Sequence, residues 1–211
     1  MNILAHRGLW SNQDERNTLS ALFKGLDDGY GLETDVRDLN GQLVISHDMP
    51  VADSAIPLES LLHYYRDGQF TSALGLNIKS DGLQGKLCRH LRDYNIKHYF
   101  VFDMSIPDTL GYLKLDMPTF IRRSDVEHHP EIMLRAQGVW LDELINPWID
   151  AEVVLKEAAK ADAVCIVSAE LHGREYAWQW AQIENAVNLG CPLEKLMICT
   201  DYPREAERFF Q

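Results

Sequence analysis

What is scarce in this sequence narrows it first. Its four cysteines, Cys88, Cys165, Cys191 and Cys199, lie far apart and form no CxxC pair. That argues against a disulfide framework or a zinc site and fits reduced, packed thiols in the cytoplasm. Positive charge is in deficit: 20 Lys and Arg against 32 Asp and Glu give a net charge of −12. Such a surface repels nucleic acid and anionic membrane, so neither is expected as a partner. An anionic substrate would have to be met by individual arginines and lysines. No apolar run approaches membrane-spanning length, and Met1-Asn2 lead straight into the first apolar run without a basic leader, so no membrane insertion or export is expected. Glycine-rich phosphate loops are missing too: no GxGxxG or GxxxxGK follows that run.

What remains is a chain of 211 residues, 46% hydrophobic, long enough for one domain with a substantial core. Strand-like runs at 2–5, 31–38, 73–78, 99–103, 118–122, 138–142, 162–168 and 195–200 alternate with helix-like runs. The latter cover 17–28, 57–66, 83–94, 107–115, 129–136, 150–160, 174–188 and 203–210. In the first, Asn17 can cap, Leu19, Leu22, Phe23 and Leu26 form the apolar stripe, and Gly29 ends the helix. In 83–94 the stripe is Leu83, Leu87, Cys88 and Leu91. Strict alternation implies a parallel sheet with helical crossovers. A doubly wound open sheet would place a phosphate loop after its first strand. Its absence favours a single compact (β/α)8 TIM barrel spanning 1–211, with a small β-hairpin after strand two at Asn40-Gly41 and a surface loop over 48–57. No helix carries an exposed apolar stripe that would mark an oligomer interface, and Trp140, Trp178 and Trp180 read as packing residues.

The chemistry gathers early. The first strand ends in His6-Arg7; the second carries Glu33, Asp35 and Arg37 on one face; the hairpin ends in His47-Asp48. Two carboxylates on one face can hold a hard divalent cation, two histidines can move protons, and an arginine can grip a phosphate. The register of the hairpin decides where His47 points. A two-residue turn pairs Leu39 with Gln42 and sets His47 opposite Thr34, away from the acids. A three-residue loop pairs Asp38 with Gln42 and sets His47 opposite Glu33. The second register is the expectation here. Lys79 ends LGLNIK beside Asn77; it either binds phosphate or extends to solvent. Glu170 and His172 either contact substrate or metal, or cap the following helix.

Together these residues resemble the glycerophosphodiester phosphodiesterase family. That family is marked by an HRG strand end, an E-N-T, an E-x-D strand and an H-D pair. Here these stand as His6-Arg7-Gly8, Asn17-Thr18, Glu33-Thr34-Asp35 and His47-Asp48, followed by LNIK at 76–79 and T-D-Y-P at 200–203. The resemblance implies a TIM barrel that cleaves a small phosphodiester to a phosphomonoester and an alcohol. It implies His6 and His47 as the acid–base pair, Arg7 and Lys79 on substrate, and Glu33 and Asp35 on a Mg2+ or Ca2+ ion. Two positions depart from it: Arg16 replaces an acid, and Asn77 stands where a third metal-ligating glutamate is usual. Asparagine ligates only through a neutral oxygen. Weaker metal binding, or a replacement ligand such as Asp103, Asp142 or Glu170, is therefore expected. The same departures motivate an alternative, a catalytically weakened barrel that binds a phosphorylated ligand as a sensor or scaffold.

Overall fold

The computed structural model describes residues 1–210. Strands and helices alternate along the chain. They run β1 (Asn2–His6), α1 (Leu19–Asp27), β2 (Gly31–Leu39), β3 (Gln42–Ile45), β4 (Ile56–Pro57), α2 (Leu58–Asp67), β5 (Leu74–Ile78), α3 (Gln84–Asp93), β6 (Tyr99–Phe102) and α4 (Ile106–Lys114). The order continues β7 (Phe120–Arg123), α5 (Pro130–Met133), β8 (Gly138–Leu141), α6 (Ala151–Ala158), β9 (Ala163–Val167), α7 (Ala177–Asn188), β10 (Leu196–Thr200) and α8 (Pro203–Phe209). All eight strands expected from the sequence form, within a residue or two of their expected ends. The chain gathers into two compact units, residues 5–119 and residues 120 onward with 1–4.

In the unit of residues 5–119, β2, β5 and β6 pair in parallel, β3 pairs antiparallel with β2, and β4 with β3. The parallel register sets Asp35 beside Asn77 and Glu33 beside Gly75. Helix α1 begins where the Thr18 hydroxyl accepts from the Ala21 N–H, so Thr18 and not Asn17 is its cap. Its Leu22 and Leu26 are buried against the sheet. A Cβ on Gly25 would fall 2.7 Å from Leu32 Cδ2, which is why helix and strand approach so closely there. Helix α2 buries Leu58, Leu61, Leu62 and Tyr65 at helical spacing. Between these elements, 48–57 is more ordered than the loop expected: it holds a 3-10 turn at Ala52–Ser54 and the short strand β4.

In the other unit, β7, β8, β9 and β10 pair in parallel in chain order. Trp180 and Ile183 of α7 and Val154 of α6 pack on Val139, Val164 and Ile198 of the strands. The side chain of Trp178 is 53% exposed and not packed as expected, because the buried face of α7 runs through Gln179, Trp180, Ile183 and Ala186. Cys88 on α3 is likewise half-buried and outside the stripe formed by Leu87 and Leu91. The expected helix 129–136 shrinks to α5, where Pro130 opens the turn and Met133 is only partly buried against the core. Among the described residues, no helix is long and apolar enough to cross a membrane.

Candidate active site

The site is built at the carboxyl ends of β1, β2, β5 and β6, within residues 5–119. As β1 ends, the chain turns sharply: Arg7 and Gly8 both take positive φ, 57° and 92°. The turn is fixed by the Arg7 N–H, which donates to the Glu33 carbonyl at 2.9 Å and reaches Glu33 Oε2 at 3.3 Å. A Cβ at Gly8 would lie 2.6 to 2.8 Å from the backbone of Ala21 and Leu22, so only glycine lets the strand end seat on the start of α1. The Trp10 indole N–H donates to the His6 carbonyl at 3.0 Å, and Arg16 stacks over that indole. Arg16, one of the two departures from the family pattern, is thus placed against an aromatic face.

Glu33 and Asp35 are buried. Asp35 is the more tightly held. Its Oδ2 accepts from the Asn17 amide at 2.8 Å and lies 3.0 Å from Arg7 Nε, and its Oδ1 lies 3.6 Å from Lys79 Nζ. Asn17 turns into this role through a positive φ of 60°, and its Oδ1 accepts from the Thr34 hydroxyl. Sequence reasoning read Asn17 as a helix cap; only the resemblance to an E-N-T motif signalled more. Glu33 accepts from the Asn77 amide at 3.2 Å and lies 3.8 Å from His6 Nε2. Burial, then the Asp35 charge, push its carboxyl up to about 7, against the pull of His6, Arg7 and Lys79. Lys79 does not extend to solvent. It forms an ion pair with Asp103 at 3.0 Å, and Asp103 reaches it from just past β6 with a φ of 71°.

His47 stands differently from the expectation. The hairpin closes with the two-residue turn, pairing Leu39 with Gln42, because Asn40 and Gly41 both adopt left-handed φ, 50° and 77°. That is the turn whose twist matches the strands it joins. The three-residue register that would have faced His47 toward Glu33 does not form. Strand β3 ends at Ile45, before His47. The Arg37 guanidinium donates to the His47 carbonyl at 3.0 Å, and the His47 ring meets Asp48 Oδ1 through Nδ1 at 2.9 Å. His47 is therefore placed by this loop and not by strand pleat.

The other unit has polar groups at its own strand ends, each with a partner. Glu170 accepts from the Thr200 and Ser168 hydroxyls and from the Asp201 N–H, tying β9 to β10. His172 pairs with Asp142 at 2.6 Å, and Asp142 also accepts from the Glu143 N–H. Asp103 is engaged by Lys79. None of the three acids expected as replacement ligands is without a partner.

The donor set fits a divalent cation, with a shortfall. Glu33 and Asp35 supply carboxylate oxygens, and two buried oxygens beside them, Asp35 Oδ1 and Asn77 Oδ1, have no hydrogen-bond partner. Buried polar atoms of that kind call for a ligand. Yet no group of three or more His, Cys, Asp or Glu among the described residues is arranged to hold a metal, and the residue beside Asp35 on β5 is the amide Asn77.

By sequence, the chain matches no family model and no curated protein. By structure it is similar along nearly its whole length to solved proteins. A glycerophosphodiester phosphodiesterase from Parabacteroides distasonis has a TM-score of 0.68 at 14% identity, covering 99% of this chain and 96% of that one. One from Agrobacterium tumefaciens has 0.66 at 17%, covering 99% and 98%. A Ca2+-dependent phosphatidylinositol-specific phospholipase C from Streptomyces antibioticus has 0.53 at 9%, covering 99% and 96%. At these identities the likeness establishes the fold, and it bears out the α/β-barrel class expected from the alternation of elements.

Proposed function

We propose, for a chain that has the fold of the glycerophosphodiester phosphodiesterases, that it is a metal-dependent phosphodiester hydrolase cleaving a small phosphodiester to a phosphomonoester and an alcohol. One observation carries this reading. His6, Arg7, Glu33, Asp35, Asn77 and Lys79, drawn from β1, β2 and β5 and the residues that follow β1 and β5, are linked by contacts of 3.0 to 3.8 Å. Burial and strain are concentrated where a structural barrel rim needs neither.

Arg7 and Lys79 are the cations that would take the non-bridging phosphoryl oxygens, with Asn17 and Asp103 fixing the groups around them. His6 and His47 form the proton-transfer pair, one receiving a proton from the nucleophile and the other giving one to the leaving oxygen. The Asp48 carboxylate holds the His47 ring through Nδ1, which leaves Nε2 for that transfer. Glu33, Asp35 and Asn77 would hold a Mg2+ or Ca2+ ion, which when bound supplies charge stabilisation to the phosphoryl group. The calcium dependence of the phospholipase relative supports the cation. The spacing of the four cysteines, with no CxxC pair among them, supports a cytoplasmic setting.

The test is hydrolysis of bis(p-nitrophenyl) phosphate with Mg2+, Ca2+ or Mn2+, beside His6→Ala and His47→Ala. Metal-dependent turnover lost in both variants supports the assignment. Phosphate-ester binding without turnover under any of the three ions rejects it in favour of a sensor or scaffold.

A further inference from the structure

The reading of the site as a phosphodiester hydrolase leaves a problem of charge. Glu33, Asp35 and Asp103 stand against Arg7 and Lys79, so once all three carboxylates are ionised, as a bound cation requires, they outnumber the two fixed cations by one negative charge. A divalent ion placed among them leaves one positive charge uncompensated in a buried setting, which is costly. The coordination shell is short as well. Hard cations take six or more oxygens, whereas Glu33, Asp35 and the neutral Asn77 carbonyl are what this side of the site offers. A third difficulty is competition, because Arg7 Nε and Lys79 Nζ already lie 3.0 and 3.6 Å from the two oxygens of Asp35.

A phosphodiester answers all three. It carries one negative charge, it brings two non-bridging oxygens, and it draws Arg7 and Lys79 toward itself and so releases Asp35. We infer that Asn77 makes cation capture conditional on the phosphodiester: the ion and the substrate's phosphodiester group bind as a coupled pair, and the ion alone binds weakly. A carboxylate at position 77 would supply the missing charge from the protein and remove the dependence. Linkage requires the effect to be reciprocal, so the ion strengthens phosphodiester binding by the same factor.

The experiment counts bound Mn2+ by electron paramagnetic resonance, with and without dimethyl phosphate, a phosphodiester monoanion that resists hydrolysis. For the wild-type chain the expected result is about a tenfold or larger gain in Mn2+ affinity on adding dimethyl phosphate, within the usual range of coupling between sites. Asn77→Glu should bind Mn2+ more tightly by itself and lose most of the gain. Unchanged Mn2+ affinity in the wild-type chain, or no bound Mn2+ in either condition, overturns the inference, and this arm decides even if Asn77→Glu fails to fold. The hydrolase reading is judged separately. Turnover of bis(p-nitrophenyl) phosphate without coupling sinks the inference alone, while coupling without turnover leaves it standing and removes the hydrolase assignment.

Discussion

Glu33 gives a pH dependence of stability that can be worked through from the structure. Burial, with Asp35 adding repulsion, raises its carboxyl from the ordinary value of 4.5 to about 7 in the folded chain. Below pH 4.5 both folded and unfolded chains hold the proton, and Glu33 costs nothing. Between 4.5 and 7 the unfolded chain releases it while the folded chain keeps it, so stability falls as pH rises. Above 7 both are ionised and the loss is constant. At about 1.4 kcal/mol for each pH unit of separation, the full loss is ~3 kcal/mol, of which about 2 to 3 kcal/mol develops between pH 5 and 8. Glu33→Gln removes the ionisation and nearly keeps the shape. Urea denaturation of both proteins in EDTA, across pH 5 to 8, isolates the contribution from all other titrating groups. The variant should gain on the wild-type chain steadily with pH, by about 2 to 3 kcal/mol over that range. A difference that stays flat, or shrinks as pH rises, would refute the reasoning that Glu33 is an uncompensated buried acid.

The remaining expectations are local. Gly8→Ala places a Cβ within 2.8 Å of the α1 backbone at a φ of 92°, and should lower stability by more than about 1 kcal/mol in thermal melts. Glu157→Gln leaves the half-buried Arg123 without its fully buried counter-charge; urea denaturation should show a loss of ~3 kcal/mol, with much of it recovered in Arg123→Met/Glu157→Leu. Asn17→Ala removes the amide that orients Asp35 and leaves its Oδ2 to Arg7 alone, and should weaken the activation of hydrolysis by metal about tenfold or more, read from the cation dependence of turnover. Asp103→Gly relieves a left-handed backbone and releases Lys79, so the melting temperature should hold or rise while KM for the phosphodiester increases.

Most of the architecture was legible because strand and helix periodicities are strong and alternate without interruption. Leu22 and Leu26 or Leu61 and Leu62 fall on buried faces that a 3.6-residue period already marks. What failed was decided by finer balances. Asn40-Gly41 supports either a two-residue turn or a bulged loop, and the left-handed φ of Asn40 settles it locally, moving His47 off the expected face. Trp178 and Trp180 look alike in composition, but only the second lies on the face toward the strands. The six residues that converge were named from the sequence. Their restraints were not, since Asn17 and Asp103 act through long-range contacts across 18 and 24 positions that no local pattern encodes.

Those restraints share a physical signature. Among the described residues, seven non-glycine positions adopt positive φ: Arg7, Asn17, Asn40, Gln69, Asn95, Asp103 and Asp116. Asn40 closes the hairpin, and Gln69, Asn95 and Asp116 follow the ends of α2, α3 and α4, where a left-handed residue is ordinary punctuation. The other three belong to the site. Arg7 and Asn17 contact Asp35, and Asp103 holds Lys79. A non-glycine residue in that region costs on the order of 1 kcal/mol or more. Each of these positions would be relaxed by glycine at no loss to the sheet, so the packing of the fold gives no reason for the side chains found there. Orientation of a carboxylate and an ammonium does. Away from the hairpin and the helix ends, the strained positions are those that restrain Asp35 and Lys79, the two side chains proposed to exchange partners when an anion binds.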